Sequence, residues 1–115
     1  MGTIVKLADW PVVKTETNRE RVIRALREAE GVVPQCQYQL MIGEKRCARG
    51  AIYDAMYPGW AENSAILPDL DLFVDEDAIT NFNDGVAGLT FAQIADRLEA
   101  DDSYWNEKGD EVWER

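Results

Sequence analysis

Apolar residues recur at helical spacing along much of this chain, and the sharpest case is 89–99. Thr90 stands where an N-cap belongs, and Gln93, three residues on, completes a capping box. Leu89 before the cap and Ile94 after it form a hydrophobic staple, while Phe91, Ile94, Ala95 and Leu98 share one face. Thr17 to Glu30 repeats the design. Thr17 and Glu20 have capping-box spacing, Val22, Ile23, Leu26 and Ala29 make the stripe with Ala25 beside it, and Gly31 is the stop. Arg46 to Tyr57 reads as a third helix, in which Cys47, Ala51 and Ala55 run beside Ala48, Ile52 and Met56. Gly50 inside it costs roughly 1 kcal/mol relative to Ala, which predicts close approach by a neighbouring element.

The remaining pattern is less regular. Thr3 to Val13 is β-leaning extended chain interrupted by Pro11. Gln37 to Ile42 reads as a short strand, whose partner is expected in the N-terminal segment, with Gly43-Glu44-Lys45 turning into the next helix. Ala61 to Leu67 reads as a short helix cut off at Pro68. Leu70, Leu72 and Val74 alternate with Asp69, Asp71 and Asp75, but repeated Asp disfavours a strand and predicts a helical turn or loop. Asp75-Glu76-Asp77 then opens a short helix through Asn81, where carboxylates suit the helix dipole. Asn83-Asp84-Gly85 is a turn signal, and its Asn or Asp is expected to pin the loop to another helix end. The expected fold is mainly α: one compact domain, 1–115, of four or five short helices with at most a two-stranded β element. It carries an extended N-terminal arm (1–16) and an acidic-aromatic C-terminal extension (101–115).

Charge sharpens this picture. The net charge is −10. Residues 1–60 carry nine Lys/Arg against seven Asp/Glu, and residues 61–115 three against fifteen. The acidic half would repel nucleic acid and anionic lipid and attract a basic protein surface. The arginines at 19, 21, 24 and 27 are interleaved with glutamates, which predicts a salt-bridged face, including Glu20–Arg24 and Arg24–Glu28 pairs, rather than a phosphate-binding one. No apolar run approaches a membrane span, and the first residues lack a signal peptide's apolar segment, so the expected location is cytoplasmic. Cys36 and Cys47 are then buried, reduced thiols.

Candidate chemistry is sparse. There is no histidine, which removes Ser-His-Asp and Cys-His machinery and any histidine metal site. The Asp69–Asp77 cluster fails the EF-hand pattern because Val74 stands where the loop needs Gly. Gly85-x-x-Gly88 has no following Lys and reads as a turn rather than a phosphate loop. No cofactor is implied.

Cys47-Ala48-Arg49-Gly50-Ala51-Ile52-x-x-Ala55, followed by Phe82-Asn83-Asp84 and Gly88-Leu89-Thr90-x-x-Gln93-Ile94, resembles a group of small uncharacterised proteins of bacteria and their phages. Those have a Cys-Ala-x-Gly-Ala helix start and an aromatic-Asn-Asp turn before a Thr-capped last helix. The resemblance spans roughly 18–100. It implies a compact helical fold in which Cys47, Gly50, Asn83, Asp84, Thr90 and Gln93 are structural, names no catalytic residue, and favours a phage or mobile-element origin.

Together these features point to a non-enzymatic interaction module with an acidic surface for a basic protein partner, as in an inhibitor or DNA-mimic of a nucleic-acid-binding host protein. The expected partner-binding residues are Asp75, Glu76, Asp77, Asp101, Asp102, Tyr104, Trp105, Glu107 and Asp110. The aromatics among them, with Trp113, have a second reading as side chains folded back on the core. The alternative function is a small-ligand site or enzyme with a pocket around Arg49, Asn83 and Asp84.

Overall fold

The computed structural model describes residues 16–62, 69–85 and 88–113. The expected N-terminal strand or arm and most of the expected helix at 61–67 lie outside the described residues. Among these residues the fold is mainly α, with four α-helices and one two-stranded antiparallel sheet.

Helix α1 spans Asn18–Ala29 and opens with the capping box expected of Thr17 and Glu20, both reciprocal bonds being present. Glu20 is thereby used on the Thr17 N–H, and the expected Glu20–Arg24 pair gives way to an Arg24–Glu16 ion pair of 2.6 Å. Gly31, at φ +79°, follows the last turn in the left-handed conformation that ends many helices. Val22 and Leu26 are fully buried against the two helices that flank α1, α2 (Ala48–Met56) and α4 (Phe91–Ala100).

Before α2 comes a hairpin, β1 (Met41–Ile42) and β2 (Lys45–Arg46), with Met41 opposite Arg46 and Ile42 opposite Lys45. The expected partner in the N-terminal segment lies outside the described residues, and among them β1 pairs with β2. The two intervening residues are Gly43, at φ +62°, and Glu44, and a glycine free to take positive φ lets a two-residue turn close a hairpin locally. Because Arg46 belongs to β2, α2 starts two residues later than its apolar pattern suggests. Cys47 sits outside the helix as its N-cap.

Gly50 meets the expectation set for it. A Cβ there would collide with the Leu40 backbone carbonyl oxygen, so the loop before the hairpin lies directly on α2. After a 3-10 turn at Trp60–Glu62, a second at Leu70–Leu72 leads to α3 (Glu76–Asp84), capped by Asp75. Helix α3 runs three residues beyond the expected end at Asn81: Asn83 and Asp84 form its last turn, and Gly85 is the C-cap. Helix α4 has the Thr90–Gln93 capping box, with Phe91, Ile94, Ala95 and Leu98 buried.

The core joins Val22 and Leu26 of α1, Ile52, Tyr53 and Met56 of α2, Leu70 and Val74, Ile79 of α3, and the buried face of α4. Residues 101–113 lie across it as a strap. At one end Val74 and Trp105 form an antiparallel bridge, the Asp75 N–H donates to Tyr104 O (2.8 Å) and the Asn106 N–H to Phe73 O (2.8 Å). At the other end Thr17 bridges Val112, the Asn18 N–H donates to Glu111 O (2.9 Å) and the Trp113 N–H to Glu16 O (2.9 Å). The Arg21 guanidinium lies 3.7 Å over the Trp113 ring, and Trp105 Nε1 donates to Leu98 O. The aromatics of this stretch are half-buried and pack on the core, the second of the two readings above.

Candidate interaction surface and cleft

The strap brings two acidic segments distant in sequence to one surface. Asp71 and Leu72 lie beside Trp105, Asn106, Glu107, Lys108 and Glu111 around a shallow depression of about 700 Å³. Asn106 Nδ2 donates to the Asp71 carbonyl and holds the two sides together. Leu72 is 48% exposed there, an apolar spot among carboxylates.

The expected partner-binding residues do not all join this surface. Glu107 does, and Asp75, bonded at its N–H to Tyr104, adjoins it. Asp101 caps the turn Asp102–Tyr104 through the Ser103 N–H, and those hydrogen bonds hold its carboxyl below the usual range. Asp102 is paired with Arg19. The Tyr104 ring meets Phe82 edge-on at 5.6 Å, and the Trp105 ring lies under Arg19. Asp110 faces a different hollow, lined by Glu16, Arg19, Arg24 and Arg27. Asp77 is exposed at the start of α3. Glu76 turns inward, accepting from Arg49 Nε (2.9 Å) and from the Tyr53 hydroxyl (2.7 Å).

Asp71, Leu72 and Glu111 join this surface without any local signal in the sequence that marks them for it. Asp71 and Leu72 belong to the alternation of 69–75, but which face it presents depends on the strap. Carboxylate oxygens of Asp69, Asp71 and Glu76 lie within 4.8 Å of one another. One oxygen of each is already engaged: Asp69 Oδ1 accepts the Asp71 N–H, Asp71 Oδ1 accepts the Glu76 N–H, and Glu76 Oε2 is paired with Arg49. Capping explains this cluster without a cation.

On α3's other end a smaller cleft of about 190 Å³ is lined by Tyr38, Gln39, Leu40, Cys47, Arg49, Thr80, Asn83 and Asp84. The sequence reading grouped Arg49, Asn83 and Asp84, and all three line it. Their roles differ. Asn83 is 1% exposed and saturated. Its Oδ1 accepts from Gln35 Nε2 (2.8 Å) and the Ala48 N–H (3.0 Å), and its Nδ2 donates to Cys36 O (2.9 Å) and Asp84 Oδ1 (2.7 Å). It pins the α3 end to the α2 N-terminus and has no valence left for a ligand. Cys47 is a weak cap, its sulfur 3.5 Å from the Gly50 N–H, so the Asn83 oxygen supplies α2 with the acceptor its own sequence lacks.

Asp84 Oδ1 also accepts the Tyr38 N–H (2.9 Å), and Tyr38 Oη donates to the Asp84 carbonyl (2.9 Å). Tyr38 is held at φ +68°, a conformation costly for a bulky side chain. Burial works against the charge on Arg49, yet its bond to Tyr53 and the nearby charges, Glu76 included, outweigh it and raise its pKa. Burial pushes the Tyr53 phenol up to about 12. Burial likewise raises both thiols, against the Gly50 and Arg49 N–H groups at Cys47 and against Lys45 and Arg46 at Cys36. Both cysteines are free and buried, protonated near neutrality and poor nucleophiles.

No known protein family, curated protein or solved structure matches the chain. Among the described residues no helix is long and apolar enough to cross a membrane.

Proposed function

We propose that this chain is a non-enzymatic interaction module that receives a basic protein surface on the face built by Asp71, Leu72, Trp105, Glu107 and Glu111. The observation that carries this reading is the strap, which sets Asp71, Glu107 and Glu111 around an exposed Leu72 and the edge of Trp105. An acidic rim around an apolar spot fits a partner presenting Lys or Arg beside a hydrophobic anchor. A nucleic-acid-handling protein has such a surface. Carboxylates here would stand in its phosphate sites, making the chain an inhibitor or regulator of the kind a phage carries. The proposed setting is the cytoplasm, where the thiols of Cys36 and Cys47 stay reduced.

The test is titration of a fluorescent lysine- and arginine-rich peptide against the protein at several salt concentrations. Glu107 and Glu111 are exposed, and neither side chain makes a hydrogen bond or ion pair to a described residue. Reversing both, Glu107→Lys with Glu111→Lys, should leave the helical circular dichroism intact. It should weaken binding about tenfold at low salt and flatten its salt dependence. Equal affinity and equal salt slope in the reversed protein would overturn the reading.

A further inference from the structure

We propose that the cleft between the α2 N-terminus and the α3 C-terminus binds a small zwitterion of the free amino-acid class, its carboxylate on Arg49 and its ammonium on Asp84. The site lies apart from the acidic face and does not depend on the function proposed for it.

Size excludes the larger ligand classes. About 190 Å³ is below the roughly 300–1,000 Å³ of sites for drug-sized molecules and cofactors. It is the space of about six waters, enough for a ligand of a few heavy atoms. Charge selects among those. The cleft is bipolar: Arg49 stands in the first turn of α2, where the helix dipole is positive, and Asp84 in the last turn of α3, where it is negative. A plain anion would be repelled by Asp84 and by the Glu76 carboxylate already on Arg49, and a plain cation would leave Arg49 Nη1 without an acceptor. A molecule carrying both charges meets a partner at each end.

The two charged groups are held ready rather than used up. Glu76 and Tyr53 fix Arg49 through Nε and Nη2, and its Nη1 has no partner among the described residues. Tyr38 and Asn83 fix Asp84 through Oδ1, and its Oδ2 has no partner among the described residues. The Thr80 hydroxyl lines the cleft, also unbonded among those residues. Two placements that cost the fold stability meet here: the strained backbone of Tyr38, and a carboxylate at a helix C-terminus with no basic residue in the last turn. A bound ammonium would offset the second.

The experiment is a titration of the ¹⁵N-labelled full chain with glycine, L-alanine and L-serine, and in parallel with acetate and methylamine. The amino acids should move the amide signals of Tyr38, Thr80 and Asp84 and bind at least about tenfold more tightly than either half-molecule, as two charge-assisted contacts require. Asp84→Asn keeps an oxygen for the Tyr38 N–H, and Arg49→Lys keeps a cation for Glu76. Each should lose about tenfold in affinity. Thr80→Val touches neither charged network and should weaken binding several-fold with the fold intact, so the outcome stays readable should another variant unfold. Unmoved signals with every amino acid at tens of millimolar would overturn the proposal. So would acetate or methylamine binding as tightly as glycine, which would leave a simple anion or cation site.

Discussion

Replacing Asn83 by Ala removes a four-bond hub, and the cost can be worked from its partners. Gln35 Nε2 keeps the Leu89 carbonyl, and Asp84 Oδ1 keeps the Tyr38 N–H. The Ala48 N–H and the Cys36 carbonyl lose the partner that Asn83 supplied, in a region where Asn83 and Ala48 are essentially inaccessible. Leaving a buried polar group unsatisfied costs about 1–3 kcal/mol, so two such groups cost about 2–6 kcal/mol. That is a large share of the roughly 5–15 kcal/mol that holds a domain of this size together. Urea unfolding followed by tryptophan fluorescence reads it directly, since the chain has four Trp. With an m-value of about 2 kcal/mol/M, the midpoint should fall by roughly 1–3 M. Asn83→Asp separates hydrogen bonding from packing. It keeps the volume but turns acceptors toward Cys36 O and Asp84 Oδ1, so it should be at least as damaging at pH 7 and partly recover as the new carboxyl is protonated. The exposed Asn81→Ala on the same helix should stay within about 0.5 kcal/mol of the parent. A midpoint shift for Asn83→Ala no larger than that of Asn81→Ala would refute the hub reasoning.

Gly50→Ala should destabilise by about 1–3 kcal/mol in the same assay even though it gains roughly 1 kcal/mol of helix propensity, because the new methyl meets backbone at Leu40; a more stable variant would show that the loop yields freely. Thr90→Ala should cost about 1 kcal/mol by removing the oxygen that holds the Gln93 N–H, with unchanged stability as the contrary result. The Glu16 carboxyl is held below its ordinary pKa of 4.5, chiefly by hydrogen bonding from Arg24 and then from Arg21, against burial. A folded-state pKa below the unfolded one gives stability that is complete above the ordinary carboxylate range and lost as pH falls through the lowered value. Glu16→Gln should therefore lower the thermal midpoint at pH 7, and the gap to the parent should close toward pH 3; a gap that does not vary with pH would count against the ion pair.

Helices with local signals were legible in the chain. Both capping boxes, the stripes of 18–29 and 91–100, and the close approach at Gly50 needed only neighbours within a few residues, so the pattern carried them. What failed depended on residues far apart. The β1–β2 hairpin is not legible in the chain because Lys45-Arg46 has no strand character of its own, and Gly43 closes it by backbone freedom alone. Helix α3 was ended early because Asn83 and Asp84 resemble a turn when their side chains are free to bond locally. Here Gln35, Ala48, Cys36 and Tyr38, all some 35–50 residues away, take those bonds and leave the backbone helical. The acidity of the site was plain in the sequence, but the availability of each carboxylate was not. Nothing around Glu76 signals that Arg49 and Tyr53 will claim it.

That distinction between acidity and availability reshapes the charge asymmetry of the chain. Folding does not leave a mildly basic half beside a strongly acidic one. Arg19 reaches Asp102, Arg27 reaches Asp96 and Glu99, and Arg49 reaches Glu76, so three arginines of the first half sit on four carboxylates of the second. Arg21 and Arg24 are spent on Glu16 and Arg46 on Asp54. The negative field is thereby thinned along α1 and α4 and left concentrated where no arginine of the described residues reaches, at Glu107, Glu111 and Asp77. Exposed charges separated by more than about 8–10 Å are screened at physiological salt, so a partner senses this local surplus rather than the net charge. Changes at Asp102 or Glu76 should then act first on the fold, by freeing Arg19 or stranding Arg49, and changes at Glu107 or Glu111 on association.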